Sequence, residues 1–121
     1  MGEDRFSKLR DYVPVMHEVS GRTGVPLEFL LILAWAEFKP GDEPRMLIPL
    51  RSEDLVPLGF KGPDEELLSP TQNIFWAAQF LRSKGVSGIT PLPDFLNAYK
   101  GAYSTQYWGA VQDCIRYLRY Y

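Results

Sequence analysis

The chain of 121 residues has a single cysteine and a single histidine. One thiol, Cys114, excludes an internal disulfide framework. It sits in an aromatic helical run and reads as core filler, not as a nucleophile. His17 has no cysteine or second histidine near it, so it reads as a solvated or locally hydrogen-bonded side chain and not as a metal ligand. Basic excess is missing as well. Thirteen Lys and Arg against 15 Asp and Glu leave a net charge of −2, which argues against nucleic acid as the main partner. The longest apolar run, Phe29 to Ala36, falls far short of the roughly 20 residues a membrane span needs. The charged start, Met1-Gly2-Glu3-Asp4-Arg5, leads into no apolar stretch, so no signal peptide is visible and synthesis in the cytoplasm is expected. Also lacking are a Ser-His-Asp set, a metal-ligand cluster, a Gly-rich phosphate loop, an internal repeat and any low-complexity tract. No cofactor is expected.

What remains is apolar and aromatic: 45% and 14% of the chain. That composition and length predict one globular domain over residues 1–121, with a single core. The stretch Gly24 to Pro40 organises it. Pro26 suits a first helical turn, Leu27, Leu30, Leu31, Ala34 and Phe38 recur at the spacing of a buried face, and Lys39-Pro40-Gly41 provides a cation and a stop. On that face or at its edge stands an acid, Glu37. A carboxylate there must find a partner, line a cleft or become neutral.

Before this stretch, Arg5 to Arg22 predicts a helix with Phe6, Leu9, Val13, Met16 and Val19 inward. Pro14 demands a start near Tyr12 or a kink, and Ser20-Gly21 and Gly24 loosen the end. After it, residues 41–64 carry four prolines and three glycines among short apolar clusters, which predicts an ordered, packed loop or a small hairpin. Ser69-Pro70-Thr71-Gln72 then reads as N-cap, first helical residue and capping box. Ile74, Ala77, Ala78 and Leu81 mark that helix's buried face, Phe75 and Trp76 widen it, and Lys84-Gly85 ends it. A short helix from Asp94 to Lys100 and a last one from about Ser104 to Tyr121, with Trp108, Val111, Ile115 and Leu118 inward, complete the chain. The expected fold is mainly α: about five helices around the central apolar helix, with an irregular insertion directly after the acid.

An acid at the end of a buried helix can be kept protonated by desolvation and so act as a general acid. Tyr99 and Trp108, with Asn97 and Lys100, offer the stacking and hydrogen bonds that a sugar takes. Three segments in order also resemble the lysozyme-like superfamily, specifically lytic transglycosylases and goose-type lysozymes. Gly24-Val25-Pro26-Leu27 through Ala34-Trp35-Ala36-Glu37 resembles the helix that carries the catalytic Glu. Ser69-Pro70-Thr71-Gln72-Asn73-Ile74 resembles an Asp-Pro-x-x-Asn-Ile helix start, and Leu96-Asn97-Ala98-Tyr99-Lys100-Gly101 an Ala-Tyr-Asn-Ala-Gly segment.

The resemblance implies a lysozyme-like fold and peptidoglycan as substrate, cut between N-acetylmuramic acid and N-acetylglucosamine, with Glu37 as catalytic acid and Tyr99 hydrogen-bonding near it. Asn97, Lys100, Phe38 and Phe60 are the further expected substrate contacts. Action at the bacterial cell wall is implied, by a released protein or as part of a larger wall-active or virion assembly. Two departures bear on activity. Phe38 stands where the family has Ser, and no Gly-Leu-Met-Gln segment is recognisable between the first two matches. Lys100 also replaces an Asn. A hydrolase would need a second carboxylate, for which Asp42, Glu43, Glu53 and Asp54 are available in the loop. The competing readings are a lysozyme-like module that holds glycan or protein without cutting, and a helical interaction domain using the aromatic C-terminus.

Overall fold

A computed structural model describes residues 9–37, 47–91, 94, 95, 109, 112 and 116, without the side chains of 36 and 37. The described chain is mainly helical and holds no strand. Its α-helices are α1 (Val13–Thr23), α2 (Leu27–Glu37), α3 (Ser52–Leu55) and α4 (Pro70–Ser83). Three 3-10 turns, Arg10–Tyr12, Val56–Leu58 and Asp64–Leu68, fill the spaces between. The buried apolar side chains form one cluster drawn from Leu9 through Phe95.

Pro14 decides where α1 begins. It occupies the first turn of α1, where a missing N–H costs nothing; Leu9 before it is already helical and residues 10–12 tighten into a 3-10 turn, so the α-helical pattern is interrupted just ahead of the proline. Ser20-Gly21 does not loosen the end. The helix runs on to Thr23 and stops at Gly24, whose φ of 82° lets its N–H reach the Ser20 carbonyl at 2.9 Å. The Thr23 hydroxyl donates to the Val19 carbonyl (2.8 Å) and accepts from the Val25 N–H (3.3 Å), which satisfies polar groups buried at the corner.

Two residues on, Pro26 stands just before α2 instead of inside it, and its carbonyl accepts from the N–H of Phe29 (3.1 Å) and Leu30 (3.5 Å). The expectation of one buried face on α2 was too narrow. Phe29 through Trp35 are all buried, Ile32 and Leu33 included, so the helix has no solvent side over two turns and is enclosed by its neighbours. Both α1 and α4 pack against α2 and against each other; α4 also meets α3 and two of the 3-10 turns, so α2 is central by its burial while α4 joins the most elements.

The loop after the acid forms no hairpin over its described part, residues 47–64. Instead it coils into α3 and a 3-10 turn around Pro57. Proline fixes φ near the helical value and removes a ladder donor, so helical turns win over strands here. Gly59 (φ 105°) reverses the chain and lets the Phe60 N–H reach the Leu55 carbonyl at 3.2 Å. Ile48, Leu50, Leu55, Phe60 and Leu67 are the anchors that turn into the core.

Ser69 caps α4 in position but not through its side chain, and the capping box is not formed. The Ser69 N–H, which Gln72 would have bonded, already donates to the Glu66 carbonyl (3.1 Å) at the close of the preceding 3-10 turn. Ile74, Ala77, Ala78 and Leu81 face inward as expected. The helix ends through a pair of bonds around Gly85 (φ 88°): Val86 N–H to Leu81 C=O at 3.1 Å and Gly85 N–H to Arg82 C=O at 3.0 Å. A turn over Ser87–Thr90 follows, and Phe95 then stacks face to face on Phe29, with ring centroids 4.1 Å apart. Of the predicted C-terminal helix, Gly109, Gln112 and Arg116 are helical and exposed, at the spacing of one outer face. The remainder of that helix, Cys114 included, lies outside the described residues.

Candidate functional site

Glu37 is the last residue of α2. What fixes its backbone is the enclosed helix behind it: Leu30, Leu31, Leu33, Ala34 and Trp35 have no exposed surface, so the axis cannot tilt without disturbing α1 and α4 together. The side chain of Glu37 and the other expected site residues Phe38, Asn97, Tyr99 and Lys100 lie outside the described residues. The segment that leads to Tyr99 is nevertheless fixed at its start. Phe95 is fully buried on Phe29 of α2, and its N–H donates to the Pro91 carbonyl at 3.0 Å.

Phe60 is described, and it is a core residue. It is 4% exposed and meets the Trp76 ring edge to face at 5.4 Å; Trp76 meets Phe75 in the same way at 5.3 Å. This row of three rings holds the insertion on α4, and packing of that kind leaves Phe60 little surface to offer a ligand. Of the candidate second carboxylates, Asp42 and Glu43 fall outside the described residues. Glu53 and Asp54 are exposed in the first turn of α3, where Arg51 Nε lies 3.0 Å and 3.4 Å from their oxygens. Both are engaged at the surface by a guanidinium. His17 is exposed on α1.

Sequence reasoning singled out Asn73 only as part of a motif, but it is the most constrained polar side chain described. It is fully buried, and it spans 25 positions to bond both backbone groups of Ile48. The Ile48 N–H donates to Asn73 Oδ1 at 2.7 Å, and Asn73 Nδ2 donates to the Ile48 carbonyl at 2.9 Å. An amide side chain here does what a neighbouring strand would do, giving irregular backbone the two partners it needs in the interior. The signal was present in the spacing: Asn73 lies four residues before Ala77 and eight before Leu81, a polar residue on an otherwise apolar stripe.

Three surface hollows lined by described residues, of about 250, 410 and 260 Å³, take no residue from α2. No group of three or more His, Cys, Asp or Glu able to hold a metal ion occurs among the described residues, and none of their helices is long and apolar enough to cross a membrane. Compared with models of known protein families, with curated proteins and with solved structures, the chain matches none. The described residues define a mainly helical protein with one enclosed helix that ends in an acid.

Proposed function

We propose that this chain cuts peptidoglycan at the β-1,4 bond between N-acetylmuramic acid and N-acetylglucosamine, as a lytic transglycosylase of the lysozyme-like type with Glu37 as its one acid and base. The observation that carries the reading is the helix itself: Phe29 to Trp35 is buried on every side and runs directly into Glu37. A helix this enclosed holds its terminal backbone in one place, as a proton donor to a glycosidic oxygen requires. The three family-like segments, in order, give the acid its assignment.

In this scheme the Glu37 carboxyl protonates the bridging oxygen, the C1–O bond breaks, and an oxocarbenium-like centre is left on the muramic residue. The carboxylate then takes the proton from the C6 hydroxyl, O6 bonds to C1 as a 1,6-anhydro ring, and the carboxyl is restored. One acid suffices. That fits a chain in which Glu53 and Asp54, the described candidates for a second, are held by Arg51 at the surface. Tyr99, with Asn97 and Lys100, is the proposed sugar-binding stretch, and the site of action is the bacterial wall.

Replacing Glu37 by Gln keeps the shape and removes the proton. Clearing of purified cell-wall sheets should fall at least about 100-fold, the lower end of what general acid catalysis contributes. Mass spectrometry of fragments from the unmodified protein should show 1,6-anhydro ends; reducing ends would make it a hydrolase instead. Undiminished clearing by the Gln variant would remove Glu37 from the mechanism. A second reading, a module that binds glycan without cutting, is favoured by Phe38 in the place of the family's Ser. It predicts that the unmodified protein sediments with wall sheets and leaves their turbidity unchanged.

A further inference from the structure

Charge is unevenly spread along this chain. Residues 47–68 carry five acids, Glu53, Asp54, Asp64, Glu65 and Glu66, against Arg51 and Lys61, a net charge of −3 where the whole chain has −2. The remainder is therefore slightly basic. Exposed apolar surface gathers on the same insertion: of the three large hydrophobic side chains that the described residues leave exposed, Val56 and Leu68 belong to it. The two properties meet in one hollow of about 260 Å³, lined by Leu50, Ser52, Asp64, Glu65, Leu67 and Leu68. Leu50 and Leu67 are buried there, and Leu68 is the exposed apolar member at 39%. Asp64 and Glu65 supply two carboxylates, and no Lys or Arg lines the hollow. Glu53 and Asp54 have Arg51 beside them, whereas among the described residues no cation comes within ion-pair distance of Asp64 or Glu65.

We infer that this hollow is a docking site for a polypeptide segment that presents an apolar side chain between cationic ones. The apolar side chain packs against Leu50, Leu67 and Leu68, and the Lys or Arg side chains beside it reach Asp64 and Glu65. Neither half of the match suffices alone. Exposed carboxylates attract any cation weakly and are screened by salt, and one small apolar contact gives no choice among apolar partners. Charge also decides the kind of partner. Nucleic acid and anionic lipid would bring phosphates to a surface of net −3 and are repelled, and a neutral glycan would use neither carboxylate. A basic segment fits because its long side chains can lay their stems on apolar surface while the charged heads stay in water beside the acids. The inference is independent of Glu37, since no residue of α2 lines the hollow.

Three capped peptides test this on the full chain through its backbone amide NMR shifts: Lys-Lys-Leu-Lys-Lys, Lys-Lys-Ser-Lys-Lys and Glu-Glu-Leu-Glu-Glu. The first should give saturable shifts at Leu50, Ser52 and residues 64–68, and bind about 5-fold more tightly than the serine peptide, as partial burial of one leucine side chain requires. The acidic peptide should shift none of these amides. Asp64→Asn combined with Glu65→Gln should weaken the first peptide about 5-fold to 10-fold, and raising the salt from about 0.05 to about 0.5 M should act in the same direction. Leu68→Ser should remove the advantage of the leucine peptide and leave the weaker attraction of charge. Glu37→Gln should leave binding unchanged, so the result does not depend on whether the chain cuts wall. Equal binding of the leucine and serine peptides would overturn the inference, because the carboxylates would then only gather cations. Shifts centred away from the hollow, or no saturable shift with any peptide, would overturn it too. Shifts of the same amides that grow with protein concentration in the absence of peptide would give the hollow to a second copy of this chain and overturn the basic partner.

Discussion

The helices and the insertion between them are held in different ways. In α1, α2 and α4 nearly every turn contributes a buried side chain, and each helix leans on the other two, so the structure is determined many times over. The insertion, residues 47–68, is held at points: Ile48, Leu50, Leu55, Phe60 and Leu67, with Asn73 reaching across to supply hydrogen bonds that no strand supplies. Between those points most side chains face water, Val56 at 60% exposed among them, while Leu47 and Leu58 pack only partly against the core. Elements joined by many small contacts unfold as a unit, whereas a segment held at a few anchors can open alone. The proposed acid belongs to the first regime by its backbone, as the last residue of α2.

The largest effect should come from the enclosed helix α2. Leu33→Ala removes a fully buried side chain from a helix enclosed on all sides, where collapse of the cavity is most hindered. A loss of about 3–5 kcal/mol is expected, seen as a fall of roughly 10–20 °C in Tm with the transition still cooperative. Phe60→Ala should cost less globally, about 2–3 kcal/mol, because the insertion can release its strain locally. Its mark should be faster amide exchange over Ser52–Leu68 with α2 still protected. If both variants lower the melting temperature equally and exchange rises everywhere, insertion and helices are one cooperative unit and the contrast between them is wrong.

What the sequence revealed follows the same division. Periodic burial repeats, so Ile74, Ala77, Ala78 and Leu81 and the central place of α2 could be read from spacing. Termini written in backbone chemistry were legible too, as at Pro14 and Gly85. The full enclosure of α2 was not, because burial of Ile32 and Leu33 depends on which neighbours arrive at their side. Nor was the coiling of residues 52–58: four prolines and three glycines in a stretch exclude a long helix without choosing between a loop, short turns and a hairpin. The Gln72 capping bond failed for a local reason, the prior use of the Ser69 N–H by the Glu66 carbonyl. Asn73 was the residue most worth finding. Its stripe position announced a buried amide, but a partner 25 residues away has no local signature.

The smallest effect should come from the surface of the insertion, and it bears on chemistry more than on stability. Arg51 approaches Glu53 and Asp54 with its own side chain 71% exposed, and its backbone carbonyl, which accepts from the Asp54 N–H at 3.0 Å, survives substitution. Exposed pairs of this kind contribute about 0.5 kcal/mol or less, and both acids remain in the favourable first turn of α3. Arg51→Ala should therefore shift the melting temperature by no more than about 2 °C, and less still at high salt. The substitution also releases two carboxylates from their guanidinium. If either were the second acid of a hydrolase, held back or oriented by Arg51, the balance of wall fragments would move between reducing and 1,6-anhydro ends. An unchanged ratio is expected, because a one-acid mechanism asks nothing of Glu53 or Asp54. A changed ratio would make one of these two carboxylates part of the chemistry.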